Sequence, residues 1–177
     1  FIKKKLDWLL PLSKKKQIKP TFKLFGGKKM DSQKNLPHVP NLSDLYALYQ
    51  LIVLNNRTTV LEYGCGWSTL IMHLALIENK KRLENYTFKR CEKPYELISL
   101  DSSKKFMNIC KENVKKYSRY HKLVNFKFSK AIMTKFNERY CTEYTDHPQE
   151  IPDFIYIDGP SPLAIKNKIE NFTTNSF

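Results

Sequence analysis

A chain of 177 residues, 41% of them hydrophobic, is long enough to bury one core and too short for two full domains. Its formal charge of +14 is carried mainly by lysine, since only five of its 31 basic residues are arginine. Specific recognition of phosphates and bases favours the planar arginine fork, so this composition argues against nucleic acid as the partner. The lysines reflect either the base composition of the gene or an acidic or anionic partner.

Cysteine spacing and the length of apolar runs exclude several further classes of protein. No C-x-x-C pair is formed by Cys65, Cys91, Cys110 and Cys141, so the sequence predicts neither a metal site nor a disulfide framework. Reduced thiols fit a cytoplasmic protein. No apolar run approaches the roughly 20 residues that a membrane-spanning helix needs, so we expect no membrane span.

Residues 1–40 form a basic segment that is interrupted by proline, with lysine runs at positions 3–5 and 14–16. Leucines at positions 6, 9 and 10 could share one helical face, but Trp8 and Pro11 break the pattern. We interpret this segment as an N-terminal arm or lead-in. It is either a solvated tail or a helix that lies on a membrane surface or caps a substrate.

From residue 41 onward, predicted helices and strands alternate. Apolar residues at helical spacing predict a helix over residues 41–54, with Ser43 or Asp44 as its N-terminal cap. A short apolar strand over residues 58–62 is followed by a helix over residues 67–77. Residues 78–94 are charged and irregular, and we predict that they form an unusually long link.

The second half of the chain continues this alternation. A strand over residues 95–101 precedes a helix that reaches about residue 117 and that Ser102 or Ser103 can cap. The third strand, over residues 123–128, alternates apolar and polar side chains, which predicts a position near the sheet edge.

The chain then has a weak helical pattern over residues 131–144, a loop over residues 145–152 and a fourth strand over residues 153–158, which ends on Asp158 before a turn at Gly159 and Pro160. Strands separated by helices predict parallel pairing with right-handed crossovers. The carboxyl ends of parallel strands lie along one edge of the sheet, where ligands bind in such folds. We therefore expect the acids that end three of these strands to share that edge.

Two glycines mark the link between the first strand and its helix. Residues 60–70 read VLEYGCGWSTL, an apolar run that ends on Glu62, passes through Gly64 and Gly66 and enters the helix. Glycine lets the backbone turn tightly and approach a ligand closely, because it has no Cβ. A dinucleotide-binding turn is the nearest alternative, but it needs a third glycine where this chain has Ser68 and Thr69. The turn therefore favours a ligand without pyrophosphate.

Three motifs in this order resemble the class I S-adenosylmethionine-dependent methyltransferases. The acid and G-x-G of that family's first motif match Glu62, Gly64 and Gly66, and its acid after the second strand matches Asp101. The sequence DFIYIDGP at 153–160 matches its fourth-strand motif. The resemblance covers about residues 41–165. It implies an α/β fold, a Rossmann-like three-layer sandwich with a mostly parallel sheet and helices on both faces.

The family's sheet has seven strands, whereas this sequence predicts four. We therefore expect residues 41–177 to be an S-adenosylmethionine-binding domain that is truncated at its C-terminal end, so that the chain is a fragment. The implied activity is transfer of a methyl group to a small-molecule or sugar-like acceptor. The fourth-strand motif lacks the N/D-P-P-Y/F and Pro-Cys forms of enzymes that methylate nucleic-acid bases.

The resemblance also implies a role for each motif residue. The backbone around Gly64 and Gly66 would line the methionine portion of S-adenosylmethionine, and Glu62 would attract its ammonium group. Asp101 would bind both ribose hydroxyls, the residues after the third strand would border the adenine, and Asp158 would lie near the transferred methyl group as the catalytic residue. The implied cofactor-binding set is Glu62, Gly64, Cys65, Gly66, Ser68, Asp101, Ser102, Ser129, Lys130 and Ala131.

Each acid also has a purely structural interpretation. Glu62 could cap the helix or pair with a lysine, Asp101 could cap the following helix, and Asp158 could fix the turn at Gly159 and Pro160. The alternative function from another class is a non-catalytic nucleotide-binding or basic anion-binding module, in which the N-terminal arm is the functional part.

Overall fold

A computed structural model describes residues 40–87, 93–161 and 164–169. The predicted basic arm, apart from Pro40, lies outside the described residues. Within these ranges, no helix combines the length and the apolar composition that crossing a membrane would require.

The described residues form an α/β structure around a parallel sheet. Its elements are α1 (Leu42–Leu54), β1 (Val60–Tyr63), α2 (Trp67–Thr87), β2 (Leu97–Asp101), α3 (Lys104–Tyr117), β3 (Val124–Phe128), β4 (Ala131–Phe136), β5 (Arg139–Tyr144) and β6 (Phe154–Ile157). Four strands pair in the order β3-β2-β1-β6, and each pairing is parallel. The predicted parallel pairing and the edge position of the third strand are confirmed.

Side chains alternate between the two faces of this sheet. Val60 and Leu97 belong to the core that packs against α1, α2 and α3, whereas Leu61 and Ile98 point to the opposite face. Residues of β4 and β5 complete the apolar cluster on that opposite face. In the described part of the chain, helices thus cover one face and a β-hairpin contacts the other, so the predicted helices on both faces are not found there.

Two predicted helices differ from the structure at their ends. Asn41, rather than Ser43 or Asp44, caps α1, since its Oδ1 accepts a 3.1 Å hydrogen bond from the Ser43 amide. Helix α2 continues to Thr87 instead of ending at residue 77, so much of the predicted link is helical. One reason is that Asn79 Nδ2 donates hydrogen bonds to two backbone carbonyls outside α2. These are the carbonyl of Ile52, in the last turn of α1, at 3.0 Å and that of Arg57, after α1, at 2.8 Å.

The predicted helix over residues 131–144 is wrong, because β4 and β5 form an antiparallel hairpin. Its two-residue turn, Asn137 and Glu138, has positive φ angles of 47° and 65°. Such a turn matches the twist of the paired strands and favours asparagine followed by glycine. Glutamate at the second position therefore conceals the hairpin at the level of sequence.

The two edge strands of the sheet have different surroundings. Beside β3, the Lys104 ammonium group lies 4.9 Å from the centroid of the Phe128 ring. In β6, Ile155 and Ile157 are 54% and 51% exposed on the face opposite the helices. One edge strand thus has a cationic side chain over its last residue, and the other presents apolar side chains to solvent.

One carboxylate joins the starts of β1 and β6. Asp153 Oδ2 accepts hydrogen bonds from the Thr58 amide at 2.8 Å and from the Thr58 hydroxyl at 3.0 Å, and Oδ1 accepts one from the Thr59 amide at 2.9 Å. Hydrogen bonds to an ionised acceptor are stronger than neutral ones. Asp153 therefore fastens two strands that are far apart in the sequence.

Replacing Asp153 with alanine is expected to lower the free energy of unfolding by about 1–3 kcal/mol, because two strand-end amides lose a charged acceptor. The matched control is Asp146→Ala, since the Asp146 carboxylate accepts a 2.9 Å bond from the adjacent Thr145 hydroxyl and joins no strands. Urea denaturation of both variants gives the comparison. Equal stability of the two variants would contradict the role of Asp153.

Candidate functional site

Two turns meet at the carboxyl ends of β1 and β6. Gly64 has a φ of 92°, in the left-handed region, and a Cβ added there would lie 2.7 Å from the Gly159 amide nitrogen. A Cβ added at Gly159 would lie 2.7 Å from Gly64 Cα. Because any larger residue would force the backbone to shift, the contact between these glycines fixes one turn against the other.

The carboxyl group of Glu62 supports the glycine turn from inside the protein. It is fully buried and accepts hydrogen bonds of 2.5 to 2.7 Å from the hydroxyls of Ser68, Thr69 and Ser99. Thr69 Oγ1 also accepts a 2.9 Å bond from the Gly66 amide. Glu62 therefore ties β1 to β2 and to the first turn of α2, and through Thr69 it holds the turn itself.

Burial also changes the acid–base chemistry of Glu62. Loss of solvent raises its pKa to about 7, and the three hydroxyl hydrogen bonds oppose this effect without cancelling it. Both carboxyl oxygens already have partners in the chain. The geometry thus shows Glu62 as a support for the turn, and its contact with a ligand ammonium group stays a prediction.

Asp101 links the end of β2 to the glycine turn. Its Oδ2 accepts a 2.9 Å hydrogen bond from the Cys65 amide, and its Oδ1 accepts a 2.6 Å bond from the Ser103 amide. The cap of α3 is Ser103, whose side chain accepts from the Phe106 amide. Asp101 therefore positions both the turn and the start of α3, and it keeps 9% of its surface accessible.

Gly66 differs from the other two glycines of this edge. Its φ lies outside the left-handed region, and the nearest described atom to an added Cβ would be Ser68 Oγ at 3.9 Å. Neither backbone conformation nor packing within the described residues requires glycine here. A closely approaching ligand would require it, because the ligand would occupy the space of the Cβ.

The remaining predicted site residues lie at the same edge of the sheet and differ in how far they are exposed to solvent. Asp158 directly follows β6; its side chain is exposed, and its amide donates a 2.8 Å hydrogen bond to the Tyr63 carbonyl. The Ser129 amide donates to the Asp101 carbonyl at 3.1 Å, which places the end of β3 beside that of β2. Ser129 and Ala131 are buried, Ser102 is half-buried and Lys130 is exposed.

Two polar residues near the turn were not among the predicted site residues. Ser99 donates to Glu62, and the parallel register that pairs these two residues could have predicted the contact. Tyr144, the last residue of β5, reaches the same edge, since its ring centroid lies 5.4 Å from that of Tyr63. A Cβ added at Gly159 would lie 3.3 Å from the Tyr144 hydroxyl. The incorrect helix over residues 131–144 concealed this position.

Known proteins and metal chemistry do not identify the site. Over residues 40–87, 93–161 and 164–169, no group of three or more His, Cys, Asp or Glu residues is placed to hold a metal ion. No protein-family model matches the chain, and no curated protein matches it with significant similarity. The chemistry of this edge is therefore inferred from its own residues.

Gly64→Ala is expected to lower the free energy of unfolding by at least about 2 kcal/mol, because the new Cβ meets backbone atoms and the φ of 92° disfavours alanine. Gly66→Ala is the matched control, since its Cβ meets no atom closer than 3.9 Å. Urea denaturation distinguishes the two variants. If Gly64→Ala were as stable as Gly66→Ala, the close contact between the two turns would be wrong.

The raised pKa of Glu62 also makes stability depend on pH. The carboxyl group of the unfolded chain ionises near its ordinary value of 4.5, whereas the folded protein keeps the proton up to about pH 7. The folded state thus binds more protons between these values, so this group lowers the free energy of unfolding as the pH rises through this range. Buried His73, whose pKa is lowered to about 4, acts in the opposite direction over an overlapping range.

A difference measurement separates these two effects. We expect the free energy of unfolding of the wild type, minus that of Glu62→Gln, to fall by up to about 3 kcal/mol between pH 4.5 and 7. His73 is present in both proteins, so its contribution cancels. Urea denaturation at constant ionic strength gives both values, and a difference that is independent of pH would contradict the raised pKa.

Proposed function

We propose that this chain binds S-adenosylmethionine at the carboxyl edge of its sheet and transfers the methyl group to a small-molecule or sugar-like acceptor. The observation that carries the proposal is Gly66, a glycine that the described residues do not themselves require. It lies beside Cys65, whose amide is fixed by Asp101. The resemblance of the three motifs to class I methyltransferases supports the same ligand, and a Rossmann-like methyltransferase fold is part of the proposal.

The residues of this edge fit a methyl-donor cofactor in two respects. The turn offers backbone without a Cβ at Gly66, against which a ligand can lie. The Asp101 carboxylate has lone pairs beyond its two amide hydrogen bonds, so it can also accept hydrogen bonds from ribose hydroxyls. A pyrophosphate would add negative charge to an edge that already carries the Asp101 and Asp158 carboxylates, which is electrostatically unfavourable.

When bound, the sulfonium cofactor supplies an activated methyl group that the acceptor displaces directly. The part of the protein is then alignment, which can lower a barrier by up to roughly 7–11 kcal/mol in favourable intramolecular cases. The contact of Gly64 with Gly159 fixes the glycine turn relative to the adjacent Asp158. If the acceptor is a hydroxyl, the exposed Asp158 carboxylate would take its proton.

A cytoplasmic setting belongs to the same proposal. Cys110 Sγ donates a 3.3 Å hydrogen bond to the Gly66 carbonyl, and Cys65 lies within the turn. Oxidation of either thiol would add polar bulk beside the backbone that holds the ligand. A reducing compartment therefore suits the function.

Calorimetric titration of the full chain with S-adenosylmethionine and S-adenosylhomocysteine tests the proposal. We expect both to bind the wild type, and Gly66→Ala to weaken binding at least about tenfold, or 1.4 kcal/mol, because its methyl group enters the ligand space. Gly66→Ala should keep or slightly raise the free energy of unfolding, by up to about 1 kcal/mol, since alanine restricts the unfolded chain.

Asn108→Ala serves as the control, because Asn108 is exposed on α3, and this variant should bind like the wild type. If the wild-type chain is folded and neither ligand gives a heat of binding, the proposal is contradicted. Binding of adenosine diphosphate in their place would support the nucleotide-binding alternative. If Gly66→Ala and the wild type bound the two ligands with equal affinity, Gly66 would not be part of the binding site.

A further inference from the structure

Tyr144 brings a phenol hydroxyl from the hairpin to the junction of the two glycine turns. Its side chain is 4% exposed, and its ring packs in the cluster that contains Leu61 and Ile98. The hydroxyl lies 3.3 Å from the position that a Gly159 Cβ would take, and that position is 2.7 Å from Gly64 Cα. The hydroxyl therefore points at the turn and not into the apolar cluster.

This hydroxyl has no hydrogen-bond partner within the described part of the chain. A buried polar group that stays unsatisfied costs free energy, so nearly all such groups in folded proteins have a partner. The hydroxyl of the adjacent Tyr63 differs in this respect, because it lies 3.4 Å from His147 Nδ1 and so has a partner. A hydrogen bond from Tyr144 to a group outside the described chain would remove this free-energy cost.

The chemistry of the group restricts what that partner is. Burial raises the pKa of Tyr144, and the Asp101 carboxylate raises it further, so the hydroxyl keeps its proton and acts as a donor. The Asp101 carboxylate, which acts electrostatically on Tyr144, is an acceptor. A ligand hydroxyl matches both groups chemically, since it can accept a hydrogen bond from Tyr144 and donate one to Asp101.

We propose that Tyr144 is a positioning residue that donates a hydrogen bond to a ribose hydroxyl oxygen of the ligand held by the glycine turn. This inference rests on the proposed function and adds a second contact to the group that Asp101 was expected to bind. It also gives the hairpin a role, because β5 is the element that carries this donor to the carboxyl edge of the parallel sheet.

Titration of the full chain and of Tyr144→Phe with S-adenosylhomocysteine tests the inference. We expect the variant to bind about three- to tenfold more weakly, as loss of one neutral hydrogen bond predicts. With the 2′,3′-dideoxy analogue of the same ligand, the wild type and the variant should bind equally. Without ligand, Tyr144→Phe should be as stable as the wild type or more stable in urea, because the deleted hydroxyl has no partner.

Tyr63→Phe is the matched control, since it removes the hydroxyl of the adjacent ring, and its affinity should stay within about twofold of the wild type. Equal affinity of Tyr144→Phe and the wild type for S-adenosylhomocysteine would overturn the inference and leave the proposed function standing. Lower stability of unliganded Tyr144→Phe would also overturn it, because the hydroxyl would then have a partner in the chain. A wild type that binds no S-adenosylhomocysteine would overturn both proposals.

Discussion

The buried carboxyl group of Glu62 is the interaction on which the rest of this edge depends. A carboxyl group in an apolar core is costly unless its oxygens are hydrogen-bonded. Here the three donors lie on different elements, Ser99 on β2 and Ser68 and Thr69 on α2. The requirement to satisfy one buried group thus sets a helix start and a neighbouring strand against β1. The turn between them consequently has a defined shape before any ligand arrives, which is the condition for precise binding.

The glycines of the edge fall into two groups once their surroundings are known. Gly64 and Gly159 are required by each other, because each occupies the space of the other's Cβ. Gly66 is required by nothing in the described chain. This G-x-G motif therefore combines one position that maintains the fold with one that has open space beside it. If the proposed function holds, substitutions at the two positions separate folding from binding.

Local patterns predicted the parallel part of the fold, because strong apolar runs and helical spacing lie within single elements. The hairpin was not predicted, since Ile132, Met133 and Phe136 also fit a helical face and the pairing of β4 with β5 depends on a turn without glycine. The extension of α2 was missed for a related reason. The carbonyls that Asn79 satisfies belong to another part of the chain.

The sequence indicated where the acids of the edge lie but not what they contact. Glutamate is almost never fully buried, so nothing in the motif predicted that Glu62 would be enclosed by hydroxyl groups. Asp101 was expected to meet a ligand or to cap a helix; it bonds the turn at Cys65 and the Ser103 amide at the start of α3, and its contact with a ligand stays a prediction. Tyr144 depends on the hairpin, so it could not be placed while that segment was read as a helix.

The unequal edges of the sheet affect how other strands can approach it. An exposed strand edge pairs readily with another chain, and lysine side chains beside it are a common protection. Near the end of β3, the Lys104 ammonium group lies over the Phe128 ring. At β6, the half-exposed Ile155 and Ile157 gain from being covered. A strand that approached the sheet would therefore meet a cation near β3 and half-exposed apolar side chains on one face of β6.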